Sequence, residues 1–404
     1  MTETKKAPNL RFKGFTDDWE QHKLEEIAEF YNGDRGPNYP KPSEIVEQGV
    51  PFINAGDLIN GHIDYRNCKH ITSDKFNQLN GAKLKINDIV YCLRGTIGKN
   101  GLVNSDANAT IASSLVCIRP VKLRPLFLFQ ILNSSIEERQ RKMVDEGAAQ
   151  PNISATNLKK FLIPVPNDNE QEKIGEVFSK LNHLITLQQR KLDKLSLLQK
   201  SLLQTLFAND NSEKPELRFS EFKDNWNNKK IGTVFTESKQ KSANGQLLSV
   251  SIASGVHPFD ETERKNNSSQ NKSNYKFVEK NDIAYNSMRM WQGAEGVSYY
   301  TGIVSPAYTV LHPKEDNNSE FYAYMFKRAE MLNKFRRYSQ GLTSDTWNLK
   351  FPILKTINIK TTNSDEQTKI VQLFKVIEKH INLEQKKLDR YQSIKKFLLQ
   401  QMFI

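Results

Sequence analysis

The fold of this chain is decided by a repeat, which opens with Pro8-Asn-Leu-Arg-Phe-Lys-Gly-Phe-Thr-Asp-Asp-Trp19 and returns 207 positions later as Pro215-Glu-Leu-Arg-Phe-Ser-Glu-Phe-Lys-Asp-Asn-Trp226. The two copies keep the Pro, Leu, Arg, Asp and Trp residues and both Phe residues in the same places. Self-similarity over such a distance is typical of a duplicated architecture. We therefore expect two related halves in one chain.

A second and longer repeat ends each half. Glu170-Gln-Glu-Lys-Ile174 returns as Glu366-Gln-Thr-Lys-Ile370, and the match continues without a gap over residues 170–208 and 366–404. Between the matched blocks the similarity is faint. We therefore predict a variable domain and a long helix, each present twice. The predicted segments are a first domain at 1–166, its helix at 167–208, a linker with the second domain at 209–361, and the second helix at 362–404.

The matched blocks have the pattern of long amphipathic helices. Asn167 and Asn363 stand at N-cap positions, with Glu170 and Glu366 three residues later as in a capping box. Apolar residues recur at spacings of three and four, which indicates a coiled-coil seam. At about 1.5 Å per residue, each helix would be roughly 55–60 Å long.

A long helix with a narrow seam needs a partner, and the other copy is the obvious one. We expect the two helices to lie antiparallel about an approximate two-fold axis. Gln188 and Glu384 interrupt the seams near mid-helix, so they either meet and help fix the register or face water. The predicted residues of the helix-pair interface are Ile174, Leu181, Gln188, Leu192, Leu195, Leu202, Ile370, Ile377, Glu384, Leu388, Tyr391 and Leu398.

The variable domains mix short β-like runs with helical segments at residues 126–144 and 320–338. This mixture predicts the α+β class. The expected architecture is two α/β domains separated by two long antiparallel helices that form a coiled coil.

Charge and hydropathy narrow the possible partners and the compartment. The net charge of +12 favours a polyanionic partner such as nucleic acid, although an ordinary basic surface is the alternative. No apolar run is long enough to cross a membrane. The three cysteines Cys68, Cys92 and Cys117 lack zinc or disulfide spacing, so we expect buried thiols in a reducing cytoplasm.

The Pro-x-Leu-Arg-Phe entry, the Glu-Gln-x-Lys-Ile helix start and the duplicated layout together resemble the specificity subunit of type I restriction–modification enzymes. The resemblance implies that each variable domain is a target-recognition domain for one half of a split, asymmetric sequence in double-stranded DNA. It also implies that the helices set the gap between half-sites and dock two methyltransferase subunits. Motor-nuclease restriction subunits would join them. S-adenosylmethionine, ATP and Mg²⁺ would bind these partners, with no cofactor in this chain.

Catalytic motifs are missing from the sequence. An adenine methyltransferase of the usual kind needs an Asn/Asp-Pro-Pro-aromatic motif, and this chain contains no Pro-Pro. Gly95-Thr-Ile-Gly-Lys99 has the wrong spacing for a phosphate-binding Walker loop. The seven histidines do not cluster in metal-ligand spacing. We therefore predict a non-catalytic chain without a metal site.

Base edges are read by Arg, Lys, Asn, Gln, Ser and Thr side chains, and loops at matching places in both domains carry such residues. Solvated turns with incidental charge are the alternative for each, and Trp291 would either stack on a base or fill a core. The predicted DNA-binding residues are Arg94, Thr96, Lys99, Gln150, Asn152 and Ser154 in the first domain, and Arg289, Trp291, Gln292, Arg336, Arg337, Thr343 and Ser344 in the second.

Two other functions compete with DNA recognition. The chain would be a scaffold if its helices only assembled partners and its domains bound protein. It would be an enzyme if it carried methylase or nuclease activity of its own, against which the missing motifs argue.

Overall fold

The computed structural model describes residues 7–105, 108–144, 152–261 and 270–403. The chain forms two units, one of Met1–Gln189 with Lys386–Ile404 and one of Arg190–Gln385. Each unit contains an α/β body and one half of each long helix. This division cuts both helices in two, so the domain boundaries expected from the sequence stay a prediction.

The first unit has twelve strands and five short α-helices within the described residues, and the first long helix begins in it. The strands are β1 (Glu20–Lys23), β2 (Ala28–Asn32), β3 (Ile45–Val46), β4 (Val50–Ile53), β5 (Leu58–Ile59), β6 (His62–Ile63), β7 (Lys69–Ile71), β8 (Ile89–Cys92), β9 (Asn100–Leu102), β10 (Thr110–Ile111), β11 (Leu115–Pro120) and β12 (Leu162–Val165). The helices are α1 (Leu24–Ile27), α2 (Ser73–Gln78), α3 (Pro125–Ile131), α4 (Ser135–Val144), α5 (Ala155–Lys159) and the long α6 (Asp168–Thr205).

The described part of the second unit has ten strands and four short α-helices, and the second long helix begins in it. The strands are β13 (Asn227–Lys230), β14 (Phe235–Glu237), β15 (Gln246–Ser251), β16 (Gly255–Pro258), β17 (Lys276–Val278), β18 (Ile283–Asn286), β19 (Glu295–Val297), β20 (Gly302–Val304), β21 (Tyr308–Pro313) and β22 (Asn358–Thr361). The helices are α7 (Ile231–Val234), α8 (Ser319–Phe326), α9 (Ala329–Tyr338), α10 (Phe351–Leu354) and the long α11 (Ser364–Gln401).

Both units are built on the same central sheet. It is antiparallel, with the order β2-β11-β8-β9 in the first unit and β14-β21-β18-β19 in the second. A two-stranded sheet, β1-β12 or β13-β22, pairs the first strand of each unit with the strand before its long helix. The framework is therefore the same in both units, although the sequences between the repeats are only faintly similar.

The second sheet is where the units differ. Both contain a parallel pair, β4 with β10 and β15 with β20. In the first unit the order is β10-β4-β7-β3, and in the second it is β16-β15-β20-β17. Thus β20 pairs with the additional strand β17, whereas β10 is an edge strand among the described residues. Divergence in sequence is accompanied by divergence at the sheet edges.

The helical segments expected at 126–144 and 320–338 are each two helices, so this prediction was wrong in detail. In the first unit the break follows α3, where the Asn133 amide donates to the Phe129 carbonyl at 2.7 Å and the Ser134 hydroxyl donates to the Ile131 carbonyl at 2.7 Å. Such side chains compete with the helical backbone for its carbonyls. In the second unit the buried Arg328 lies at the break and donates to the Ala208 carbonyl at 3.1 Å.

The two repeated motifs contact each other in both units. Arg11 of the entry motif binds Glu170 of the helix start through two hydrogen bonds of 2.8 Å. Arg218 binds Glu366 in the same way, at 2.7 and 2.8 Å. Both carboxylates are fully buried, and the hydrogen bond to Glu raises the pKa of each arginine. In each unit, therefore, the entry motif binds the start of the long helix through the same Arg–Glu pair.

The aromatic residues of the repeats form the matching cores. In the first unit Trp19 packs edge-on against Phe127 at 5.8 Å between ring centroids and against Phe403 at 6.3 Å. In the second unit Trp226 packs against Phe321 at 5.7 Å and against Phe207 at 6.2 Å. Phe207 and Phe403 occupy the same position in the repeat, near the end of each long helix. Each core is thus completed by the end of a long helix.

The beginnings of the long helices confirm the predicted N-caps. The side-chain oxygen of Asn167 accepts from the Glu170 amide at 3.0 Å, and that of Asn363 accepts from the Glu366 amide at 2.9 Å. The reciprocal half of the capping box was predicted for the glutamate side chains. These carboxylates instead bind Arg11 and Arg218, which lie outside the helices.

The long helices pack against each other, as predicted. In the second unit the Lys191 ammonium donates to Glu384 at 2.8 Å, the Gln199 amide to Glu378 at 3.3 Å, and Phe207 stacks on Phe374. The residue numbers along the first long helix rise while those of their partners on the second fall, so the two helices are antiparallel.

The predicted residues of the helix-pair interface are all buried or half-buried. Glu384 is only 3% exposed, so it does not face water. That Gln188 and Glu384 fix the register stays a prediction. Of the predicted interface residues, Ile174, Leu181, Leu192, Ile370, Ile377, Glu384 and Leu388 are buried, and Gln188, Leu195, Leu202, Tyr391 and Leu398 are half-buried.

Candidate nucleic-acid interface

A tight hairpin loop follows the central strand β8 of the first unit and holds the predicted residue Arg94. The Cys92 amide donates to the Lys99 carbonyl at 2.8 Å, and the Gly98 amide donates to the Cys92 carbonyl at 3.2 Å. Gly95 and Gly98 have φ angles of +81° and +84°, a region that suits glycine. The loop is therefore closed by its own backbone and presents Arg94 to solvent.

The loop is supported from below by a polar network that the sequence analysis missed. The Tyr91 hydroxyl donates to Glu137 at 2.5 Å, and the Arg141 guanidinium donates to the same oxygen at 2.8 Å. Burial raises the pKa of Glu137. A β-carbon at Gly98 would lie 2.7 Å from Nε of Arg141, so the loop and the network are in direct contact.

A second segment lies beside the loop and carries Asn152 and Ser154. Asn152 forms a β-bridge with Arg94, and the Ile153 amide donates to the Leu93 carbonyl at 3.0 Å. The Ser154 hydroxyl accepts from the Asn157 amide at 3.0 Å and thereby caps α5. The structure thus brings Arg94, Asn152 and Ser154 together, and gives Ser154 a structural role as well.

These residues line a cavity of about 430 Å³. Arg35 lies on its wall, although the sequence analysis did not single it out. Its guanidinium donates to the Ser113 carbonyl at 3.2 Å and is otherwise exposed. The cavity is therefore lined by two arginines and by Asn32 and Asn152, residue types that suit an anionic and hydrogen-bonding ligand.

The remaining predicted residues of the first unit are placed differently. The Lys99 ammonium donates to the Ala55 carbonyl at 3.1 Å and is partly buried. The Thr96 hydroxyl lies 3.7 Å from Sγ of Cys92 and is exposed. Gln150 lies outside the described residues. Lys99 therefore has a partner within the protein, whereas Thr96 remains accessible.

The second unit has an equivalent loop after its central strand β18. The Leu349 amide donates to the Ser287 carbonyl at 2.8 Å, which repeats the bond between Ile153 and Leu93. Arg289 is exposed, and its guanidinium donates to the side-chain oxygen of Gln292 at 3.1 Å. The predicted loops of both units therefore occupy corresponding places in the fold.

Trp291 packs within this loop region. Its ring lies edge-on to Trp347 at 5.2 Å, and its Nε1 donates to the Met288 carbonyl at 3.1 Å. The Arg336 guanidinium lies over the Trp347 ring at 5.5 Å. Trp291 is half-buried against the main core of the unit. The ring therefore packs partly within the unit, and its contact with a base stays a prediction.

Residues 340–348 form another loop, whose Trp347 contacts Trp291 and Arg336. Gln340 and Asn348 close its base with backbone hydrogen bonds of 3.0 and 2.8 Å. Thr343 and Ser344 lie at its exposed end, and Arg337 is exposed at the end of α9. The structure therefore gathers all the predicted residues of the second unit into three neighbouring elements.

Two other kinds of feature are absent from the described residues. No group of three or more His, Cys, Asp or Glu residues could hold a metal ion there. In that part of the chain, no helix has the length and apolar character that crossing a membrane requires.

Comparison with known proteins gives the family. The model of the type I restriction modification DNA specificity domain matches residues 16–197 and again residues 223–391. The EcoBI specificity subunit of Escherichia coli is 26% identical over 136 residues, which cover 33% of this chain and 29% of that protein. The MjaVIII specificity subunit of Methanocaldococcus jannaschii is 26% identical over 199 residues, 48% of this chain and 46% of that protein. The matches thus span less than half of these relatives' length.

A solved structure shares the fold over its whole length. It is the S subunit of a type I restriction–modification system from M. genitalium, with a TM-score of 0.63 and 15% identity over 98% of this chain and 99% of that one. At this identity the likeness concerns the fold. Because the family model matches most of the chain in two consecutive copies, this chain belongs to the family of DNA specificity (S) subunits of type I restriction–modification systems.

Proposed function

We propose that this chain reads a bipartite, asymmetric sequence in double-stranded DNA, one half-site with each unit, without performing catalysis itself. The long helices act as the spacer between the two readers. Two weak half-site contacts on one frame then combine into a single specific readout. The chain works in the cytoplasm, where it directs modification and restriction to the chosen sequence.

One observation carries this proposal: the loop after the central strand holds an exposed arginine in both units. In each unit a backbone hydrogen bond joins the loop to an equivalent neighbouring segment. The Ile153 amide donates to the Leu93 carbonyl at 3.0 Å in one unit, and the Leu349 amide donates to the Ser287 carbonyl at 2.8 Å in the other. Arginine on a rigid element is a frequent reader of guanine in the major groove. The surrounding residues differ between the units, as two different half-sites require.

The basic character of the chain supports a DNA partner. Its net charge is +12. Arg94 and Arg289 are exposed on the two loops, Arg35 on the wall of the cavity, and Arg336 and Arg337 on α9. Phosphate contacts from such residues position a protein on DNA, whereas base contacts specify the sequence. We expect binding to weaken steeply as the salt concentration rises.

The proposed protein partners are two methyltransferase subunits and the restriction subunits. Exposed apolar residues on the long helices recur at equivalent repeat positions: Leu187 with Leu383, and Leu198 with Ile394. Repetition of one surface suits two copies of the same partner. S-adenosylmethionine, ATP and Mg²⁺ belong to those partners in this proposal, and the chain itself contributes recognition.

The proposal is tested by mapping methylated adenines across a genome that carries the methyltransferase, with and without this chain. A split motif that disappears with the chain is the expected result. Purified full-length chain and its Arg94→Ala and Arg289→Ala variants are then titrated with the motif and with scrambled duplex. A base contact predicts a loss of about 1–3 kcal/mol on the motif alone.

Arg66→Ala is the matched control, because Arg66 is an exposed arginine on another loop of the first unit. An equal loss on motif and scrambled DNA would assign Arg94 or Arg289 to phosphate contact. Methylation that does not depend on the chain, or salt-independent binding to any duplex, would contradict the proposed function.

A further inference from the structure

The most exposed large apolar side chain on the second unit is Leu342, at the end of the loop of residues 340–348. It is completely accessible to solvent, as if it were in an extended peptide. Its neighbours Gly341, Thr343 and Ser344 are small or polar. An exposed leucine is ordinary on a protein surface. Leu342 differs because contacts within its loop define a turn that leaves its side chain in solvent.

Several contacts make the loop rigid. The Thr343 amide donates to the Thr346 hydroxyl at 3.1 Å, and the Thr346 amide donates to the Thr343 carbonyl at 3.0 Å. Gly341 has a φ angle of +145°, and a β-carbon there would lie 2.6 Å from the Thr346 carbonyl oxygen. Only glycine fits at this position without displacing the turn. Contacts with Thr346 therefore define the backbone conformation on both sides of Leu342.

The loop is also anchored next to the candidate DNA-binding surface. Its residue Trp347 packs against Trp291 on one side and under Arg336 on the other. The bond from Leu349 N to Ser287 O joins the end of the loop to the segment that carries Arg289. The loop that carries Leu342 is thus anchored to Arg336 through Trp347 and to the segment of Arg289 through Leu349, and these basic residues favour a polyanionic occupant over an apolar protein partner.

Double-stranded DNA offers a specific counterpart to an apolar tip. Among the groups that bases display in the grooves, the C5-methyl group of thymine in the major groove is the apolar one. Thr343 and Ser344 beside the tip are suited to the polar groups of neighbouring bases. From these observations we infer that Leu342 is a specificity-determining residue that contacts a thymine methyl group in the half-site read by the second unit. This inference rests on the proposed function.

The test uses the full-length chain and the target duplex found by methylation mapping. Each thymine of the second half-site is replaced in turn by deoxyuridine, which lacks only the methyl group. The wild-type chain is expected to lose about fourfold in affinity at one position, the equivalent of ~0.8 kcal/mol for one buried methyl group. The Leu342→Ala variant is expected to bind the thymine and deoxyuridine duplexes equally.

Leu217→Ala is the matched control, because Leu217 is a half-exposed leucine of the same unit that bonds to the end of α6. It should leave the response to deoxyuridine intact. Because Leu342 has no packing to lose, its replacement should leave the melting temperature unchanged. The inference is overturned if Leu342→Ala binds the target as the wild type does, if every deoxyuridine effect persists in the variant, or if the second half-site contains no thymine on either strand. A wild-type chain without sequence preference would instead overturn the proposed function.

Discussion

Replacing Arg218 by methionine tests the buried ion pair that joins the two repeated motifs. The change keeps most of the side-chain volume and removes the guanidinium from Glu366, a carboxylate with no exposed surface. Exposed ion pairs contribute only about 0.2–1 kcal/mol. Breaking a buried pair costs about 3–5 kcal/mol, because the remaining charge has neither water nor a partner. Thr362 still donates to Glu366, so we expect the lower end, ~3 kcal/mol.

Hydrogen–deuterium exchange measures this loss separately in each unit. The amides of β18 in the second unit should exchange faster by a factor equivalent to ~3 kcal/mol, while those of β8 in the first unit keep their protection. Arg11→Met is the mirror-image control and should affect β8 alone. The double variant Arg218→Met with Glu366→Gln should recover much of the loss, because no buried charge remains. A loss below ~1 kcal/mol, or equal losses in both units, would refute the reasoning.

Three further predictions concern other sites. Glu295 is fully buried and both its carboxylate oxygens lack hydrogen-bond partners among the described residues, and burial raises its pKa to about 8. Folding then takes up a proton, so stability is greatest below the usual pKa and is lost as the pH rises towards 8. Glu295→Gln should therefore stabilise the second unit by ~3 kcal/mol at pH 7 and little at pH 4.5 in urea unfolding, and a pH-independent difference would contradict this. Gly98→Ala should reduce binding to the first half-site more than Gly95→Ala does. Both residues have positive φ, but only Gly98 has Arg141 within 4 Å of an added β-carbon. Equal effects of the two substitutions would exclude a role for the contact with Arg141. Leu187→Ser combined with Leu383→Ser should weaken co-purification of the methyltransferase without changing DNA binding. Lys180→Ser, at another exposed position of the first long helix, is the control. Unchanged co-purification would show that Leu187 and Leu383 do not bind the methyltransferase.

The architecture was predictable because its signals are local and repeated. The spacing of apolar residues after Asn167 and Asn363 defines two helices, and their equal seams predict the antiparallel pairing. Both caps form as predicted because an Asn side chain acts on a backbone only three residues away. Such features depend on short-range chemistry, which a sequence pattern records directly.

Long-range contacts were harder to predict. Arg11 and Glu170 belong to two separate sequence motifs, but nothing in their spacing predicts that they bind each other. A signal did exist, since both motifs recur together in each half. Arg35 and the network of Tyr91, Glu137 and Arg141 had no such signal, because only the folded sheet brings Arg35 to the cavity and Glu137 under the loop.

Sequence periodicity also predicted one helix each at residues 126–144 and 320–338, where the structure has two. The apolar pattern continues through both breaks, and the competing bonds of Asn133 and Ser134 are visible only once the backbone is known. Binding roles are least predictable of all. Ser154 has the right chemistry for DNA, yet its hydroxyl is engaged as a helix cap, and Lys99 reaches a backbone carbonyl.

The composition of the first unit has a consequence for the order of events during synthesis. Its core includes Met402 and Phe403, and Trp19 packs against Phe403, whereas every residue of the second unit lies between 190 and 385. Domains usually fold in the order in which the ribosome makes them. Here the core of the earlier-translated unit lacks Met402 and Phe403 until after residue 385, the last residue of the second unit, has been made, so the later-translated unit has all its residues first.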